Sequence, residues 1–299
     1  MLPQALRSTH TCKTDLRLDY QHLHLDVSGP ETAPPVLLLH GWGSSAQLMH
    51  PVADTLADRY RVYNLDLPGH GLSPPPPEPW GVPEHAALVR GLLEERIDAP
   101  TTLIGHSNGG RIALYMASEP DPSPLIQRLV LVSPSGITPR RTWKYHVKKN
   151  LARTLKAPFA VLPGSLRAYG LDWLKHSLLW RALGSSDYST LDGVMRDTFV
   201  KTVNCYLDDR LHRIAAPTLL FWGDRDEAVS REQMRVLEQR ISDAGLVILS
   251  GAGHYGYLDD PATFIAATRY FLEHQGGDAS TATTTPNRLA NPNHVKRET

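Results

Sequence analysis

Six short apolar runs, each followed within two residues by Gly, Pro or Asp, recur along this chain and alternate with longer segments of helical period. The runs are 36–39, Arg61–Leu65, 102–104, 129–132, 218–222 and 246–249, while 46–59, 83–97, 110–118, 231–241 and Pro261–Glu273 read as helices. Runs of this length are too short for helices, and their largely continuous apolar character marks strands covered on both faces. The order is βαβ repeated. It predicts an α/β fold, a mostly parallel central sheet flanked by helices and joined by right-handed crossovers. Residues 16–27 alternate enough to form an opening hairpin.

One stretch breaks this rhythm. Between 137 and 212 aromatic and basic residues recur at helical spacing, but no convincing strand appears. This segment reads as an inserted helical cap that divides the core into 15–136 and 213–275. Its first part is strongly basic: between Arg140 and Arg181 ten Lys and Arg stand against a single acid, Asp172. From 276 to 299 the chain turns rich in Gly, Thr, Asn and Pro. That composition offers too little apolar surface to offset the entropy of ordering, so a disordered tail is expected.

Composition narrows the function classes. With 299 residues and 41% hydrophobic content, the chain can bury a sizeable core and is no small disulfide scaffold. Its 31 basic and 31 acidic residues cancel, leaving no global bias toward nucleic acid. Cys12 and Cys205 form no metal-ligand or redox spacing, so neither a metal nor a cofactor is implied. The segment Met1 to Ser8 lacks the apolar core of a signal peptide, and no apolar run approaches the ~20 residues needed to span a bilayer. A soluble, cytoplasmic protein is expected. Oligomeric state is not legible.

The strongest chemical signal is Gly105-His106-Ser107-Asn108-Gly109, placed directly after one predicted strand and directly before a predicted helix. A serine on so sharp a turn needs small residues two positions to either side, because the neighbouring backbone approaches closely. The helix that follows directs its unpaired amides and positive dipole end at the same point, which favours an oxyanion there.

On these residues the chain resembles the α/β-hydrolase family, in its serine-nucleophile branch, over roughly Leu16 to Glu273. The resemblance implies a nucleophile at Ser107. It also implies an oxyanion hole made by the backbone amides of Trp42, in His40-Gly41-Trp42-Gly43, and of Asn108. His40 is expected to brace its loop and not to carry a proton. Asp66-Leu67-Pro68-Gly69-His70-Gly71-Leu72-Ser73 resembles a structural turn of the family, and Asp66 precedes the nucleophile, against the family order of nucleophile, acid, base. Trp222-Gly223-Asp224-Arg225-Asp226-Glu227 offers three carboxylates. The family's spacing selects Asp226, and the strand ending Val132-Ser133-Pro134 supplies no competing acid. Gly251-Ala252-Gly253-His254 matches the loop that carries the family's base, His254.

The implied activity is cofactor-free hydrolysis of a carboxylic ester or related small acyl substrate through a Ser-His-Asp triad and an acyl-enzyme. Serine at residue 107 disfavours the epoxide-hydrolase and dehalogenase branches, which place an aspartate there. A C–C bond hydrolase acting on diketone-like acids shares the triad and would suit a basic cap. A noncatalytic receptor or scaffold on the same fold is the alternative of another class.

Overall fold

In the computed structural model the described residues are 20–139 and 193–274; the basic stretch 140–181 and the expected tail 276–299 lie outside them. Seven strands form one sheet: β1 (Leu25–Ser28), β2 (Pro35–Leu39), β3 (Arg61–Leu65), β4 (Thr101–His106), β5 (Ile126–Val132), β6 (Thr218–Gly223) and β7 (Ala244–Leu249). Their spatial order is β1-β3-β2-β4-β5-β6-β7. Only β1 runs antiparallel, pairing Leu25 with Leu65 through Ser28 with Val62; every other neighbouring pair is parallel.

The helices are α1 (Ala46–Leu56), α2 (Val82–Leu92), α3 (Asn108–Ala117), α4 (Gly193–Val203), α5 (Arg231–Arg240), the single turn α6 (Gly256–Asp259) and α7 (Pro261–Glu273). They cover both faces of the sheet, and the period of two along each strand decides which side chain meets which layer. Leu37 and Leu39 of β2, Leu103 of β4 and Leu129 and Leu131 of β5 pack with Val89 of α2, Ile112 of α3 and Leu237 of α5. On the opposite face Val36, Leu38, Ile104, Val130 and Phe221 pack with Met49 and Val52 of α1 and Phe264 of α7. All six residues of β4 are buried, whereas the edge strand β1 is half-exposed along its length. At roughly 1.5–3 kcal/mol for each large apolar side chain removed from water, the central strands supply much of the drive for folding.

The chain winds outward in two directions from the middle of this sheet. After β2 it crosses to β3 on one side, and from β4 it proceeds through β5, β6 and β7 on the other. The two directions diverge between β2 and β4, where Leu39 is level with Gly105. In open parallel sheets this switch point leaves a crevice beyond the carboxyl ends of the two strands. The loop beginning at His40 and the turn at Ser107 both rise there.

Three local expectations are corrected. The helix expected over 46–59 stops at Leu56, where the Arg59 and Tyr60 amides bond back to the Leu56 carbonyl, so that the buried Tyr60 can lead into β3. The helix expected over 83–97 widens after Leu92 into a five-residue return over Leu93–Ile97, closed by Asp98 at φ 47°. No hairpin forms within the described part of 16–27: Tyr20–His22 is a single helical turn, and β1 finds its partner in β3, far along the chain. Alternation shows which face of a strand is wet but not which strand lies beside it.

Packing is tight where α3 meets the sheet. A methyl group on Gly109 would stand 2.1 Å from the Leu39 carbonyl oxygen, and one on Gly105 would stand 2.7 Å from the Gly110 Cα. Both neighbours are backbone and cannot swing aside. We therefore expect Gly109→Ala to lower unfolding free energy by about 3 kcal/mol or more. Gly245→Ala, on β7 where nothing lies within 4 Å, should change stability by less than about 1 kcal/mol. Urea denaturation of both variants checks the pair; equal losses would refute the steric account.

Candidate active site

Ser107 stands between β4 and α3 with φ 49° and ψ −106°, a left-handed backbone that a non-glycine residue adopts at a cost of about 1–3 kcal/mol. Neighbouring backbone holds it there. Its amide donates to the Val132 carbonyl at 3.0 Å, and its own carbonyl accepts from the Arg111 and Ser135 amides, each at 3.0 Å. The Ser135 hydroxyl adds a further bond to that carbonyl at 3.1 Å. Asn108 is the first residue of α3, so its amide has no carbonyl a turn earlier in the helix to pair with.

The loop after β2 lies against this turn. A methyl on Gly41 would stand 3.2 Å from the Ser107 Cβ, so only a bare backbone lets the loop approach so closely. His40, 1% exposed, braces it from below. Its Nε2 accepts the Leu67 amide at 3.0 Å, which leaves the proton on Nδ1, and Nδ1 donates to the Gly41 carbonyl at 2.7 Å. Burial pushes the His40 pKa down to about 4, so the ring is neutral at physiological pH. Trp42 follows, its half-buried ring meeting His70 edge-on at 4.9 Å and Phe199 of α4 at 5.1 Å.

Asp66 is 2% exposed and is occupied with the same loops. Its carboxylate accepts the Ala46 amide at 2.6 Å and the Leu72 amide at 2.9 Å, and His24 pairs with it at 3.0 Å. Gly71, at φ 55°, passes so close that a methyl there would stand 2.2 Å from an Asp66 oxygen.

The carboxylates after β6 divide their work. Asp224 Oδ1 accepts the Gly251 amide at 2.7 Å and so ties the β6 turn to the loop after β7. Asp226 Oδ1 accepts the Ala228 and Val229 amides at 2.7 and 3.0 Å, while Oδ2 lies 2.9 Å from His254 Nδ1. The Asp226 side chain is fully buried and that of His254 is 22% exposed. Burial alone would raise the Asp226 pKa. Hydrogen bonds from His254 and the Val229 amide outweigh it and hold the carboxyl below its ordinary value. Glu227 is exposed.

Helix α4 lies across these loops. Met195 sits directly over Gly69, where a methyl would collide with its sulfur, and Thr198 Oγ1 accepts the Trp80 amide at 3.0 Å. At its far end Arg111 of α3 donates to the Thr202 carbonyl. A helix C-terminus has unpaired carbonyls and a negative dipole end, which a cation satisfies. Burial lowers the Arg111 pKa to about 10, so its guanidinium stays charged near neutral pH. Among the described residues, no cluster of three or more His, Cys, Asp or Glu is placed to hold a metal ion, and no helix is long and apolar enough to cross a membrane.

Of the residues singled out by sequence, Ser107, Asn108 and the Trp42 loop meet at the β2/β4 crevice, and Asp226 meets His254 through a direct hydrogen bond. Several contacts had no sequence signal. Phe199, Met195 and Arg111 act across long chain separations, and His106 lay inside the serine motif without a chemical signature.

A family model for the alpha/beta hydrolase fold matches residues 34–261, and the chain belongs to that family. It is similar to a pimeloyl-[acyl-carrier protein] methyl ester esterase of Chromobacterium violaceum, 28% identical over 85% of this chain and 100% of that protein. It is also similar to an uncharacterized protein of Mycobacterium tuberculosis, 27% identical over 87% of this chain and 86% of that one. Among solved structures, the enol-lactonase of Burkholderia xenovorans superposes with a TM-score of 0.63 at 23% identity, covering 84% of this chain and 96% of its own. This similarity shows the shared fold.

The depressed pKa of Asp226 has a consequence for stability. A carboxyl whose folded pKa lies below its unfolded value stabilises the fold fully above that unfolded value, ordinarily 3.8 here, and loses the contribution as pH falls through the folded pKa. The stability difference between wild type and Asp226→Asn should therefore be constant from about pH 5 to 8 and shrink below about pH 4. Urea unfolding across that range checks it, and a difference independent of pH down to pH 2 would contradict the assignment.

Proposed function

We propose that this α/β hydrolase cleaves carboxylic esters or related small acyl substrates with Ser107 as nucleophile, His254 as general base and Asp226 as the acid that orients it. The observation that carries the reading is the 2.9 Å bond between His254 Nδ1 and Asp226 Oδ2. In the neutral ring it commits the proton to Nδ1 and leaves the Nε2 lone pair free to accept a proton.

Catalysis then runs in two halves. His254 Nε2 takes the Ser107 hydroxyl proton as Oγ attacks the substrate carbonyl, and the negative charge on the carbonyl oxygen falls to the amides of Trp42 and Asn108. The intermediate collapses, the C–O bond of the ester breaks, and His254 returns the proton to the departing alcohol. Water repeats the sequence on the acyl-enzyme, releasing the acid and restoring Ser107. The curated relative named for methyl ester hydrolysis supports ester cleavage as the reaction type. On this reading the core expected over 15–136 and 213–275 carries the machinery, and of the cap expected over 137–212, whose residues 140–192 lie outside the described ones, helix α4 sets Met195 over Gly69 and Phe199 against Trp42.

Ser107→Ala should abolish turnover, by about 10⁴-fold or more, without loss of fold, since a small side chain replaces a small one on the same strained turn. His254→Ala should be comparably damaging. Asp226→Asn should lower kcat by roughly 10³- to 10⁴-fold, with Asp224→Asn far milder. The measurement is a hydrolysis screen across ester chain lengths, with neutral and carboxylate-bearing esters and acidic C–C substrates side by side, together with fluorophosphonate labelling of Ser107. Full turnover in Ser107→Ala would end the serine mechanism, Asp224→Asn as the more harmful change would reassign the acid, and cleavage confined to the C–C substrates would replace ester hydrolysis.

A further inference from the structure

His106, the last residue of β4, is 1% exposed and takes no part in the proton transfers above. Its Nε2 lies 3.1 Å from the backbone carbonyl oxygen of His254. A carbonyl can only accept, so Nε2 carries the proton and Nδ1 is left as a bare lone pair. Nδ1 is buried and has no hydrogen-bond partner. It faces the loop after β2, where a methyl on Gly41 would stand 2.8 Å from it. The rest of the ring is enclosed by other rings: His254 and Tyr255 each at 4.8 Å between centroids, and Tyr257 at 5.3 Å.

This one side chain therefore joins three of the segments that the proposed chemistry brings together. It is covalently next to Ser107, it packs on the loop that leads to Trp42, and it holds the main chain of the residue that carries the base. The loop after β7 has glycines at 251, 253 and 256, with Gly251 at φ 79°. Its flanks are tied by Asp224 to the Gly251 amide and by Asp259 to the Gly253 amide, both at 2.7 Å. The bond from His106 falls on His254 itself.

We propose that His106 is a positioning residue which clamps the His254 backbone onto the nucleophile strand, through its Nε2–H, and so sets the distance between the base and Ser107. The role rests on the serine-hydrolase reading above. A clamp beside a base must not gain charge when the base does. Burial first, and then repulsion from His254, push the His106 pKa down to about 3, against weaker opposing effects of the bond to the His254 carbonyl and of Asp226. The titratable groups around it are His254, Asp226, His40, Tyr255 and Tyr257, and none of them offers His106 a direct carboxylate partner among the described residues. The ring stays neutral, and the donor stays in place, throughout the range in which a histidine base cycles.

Two substitutions separate the clamp from packing. His106→Phe keeps an aromatic ring among its neighbours and removes the donor; His106→Gln places an amide N–H close to where Nε2 stood. We expect His106→Phe to lower kcat by about 10- to 100-fold with KM nearly unchanged, the scale for misplacing reacting groups by about an ångström. His106→Gln should recover most of that loss. A kcat within twofold of wild type in His106→Phe, or equal losses in the two variants, would overturn the clamp. If neither variant folds, nitrogen-15 NMR of the wild-type histidines decides instead: His106 should remain the neutral Nε2–H tautomer from pH 5 to 8. An Nδ1–H tautomer, or protonation near pH 6, would overturn it. Ser107→Ala is assayed in parallel. If that variant kept full turnover the serine reading would fail on its own evidence, and the tautomer measurement would still decide the clamp.

Discussion

The close approach of α3 to the carboxyl ends of β2 and β4 is the constraint on which the rest of this molecule depends. Two glycines permit it, because any side chain at 105 or 109 would meet backbone atoms. The approach forces Ser107 into a left-handed backbone, aims the first amides of α3 at the crevice, and brings the Gly41 loop against the serine. Such a turn persists only when its surroundings over-determine it. Here four hydrogen bonds to the Ser107 main chain, from strand β5, α3 and Ser135, do so.

Buried neutral histidines recur as struts in this molecule, two of them, His40 and His106, beside that turn. His40, His85 and His106 are each 1% exposed, and burial lowers the pKa of all three. Each gives its ring proton to a backbone carbonyl: His40 to Gly41, His85 to Gly81 and His106 to His254. A histidine can serve here where a lysine could not, because its neutral form is accessible and still donates one directed hydrogen bond. His254 differs in kind. It is partly exposed and bonded to a carboxylate instead of a backbone carbonyl.

The loops that meet in the crevice are held from above as well as below. Helix α4 contributes Phe199 against Trp42 and Met195 over Gly69, and its own end is fastened to α3 by the buried Arg111 guanidinium. Helix α3 and the helix lying across these loops are thus joined by a charge-assisted bond made one turn from Ser107. A shift of α4 would be felt by the Trp42 ring and by α3 together, since interiors packed this closely transmit displacement.

What the sequence by itself determined was the layer order and the chemically loaded turns. Runs such as 129–132 and helices such as Pro261–Glu273 are legible because apolar periodicity is local, and the glycines at 105 and 109 are legible because steric need shows in composition. Neither the pairing of the short strand β1 nor the single turn α6 is legible in the sequence, because four residues carry too little periodicity to identify an element. Only the tertiary structure decided the rest. That β1 pairs with β3, that Asp224 ties the β6 turn to the Gly251 amide, and that His106 holds the His254 carbonyl are decided by how the strands and their loops assemble. The physical reason is distance along the chain: His106 and His254 are 148 residues apart, and a contact at that separation leaves no periodic trace in either neighbourhood.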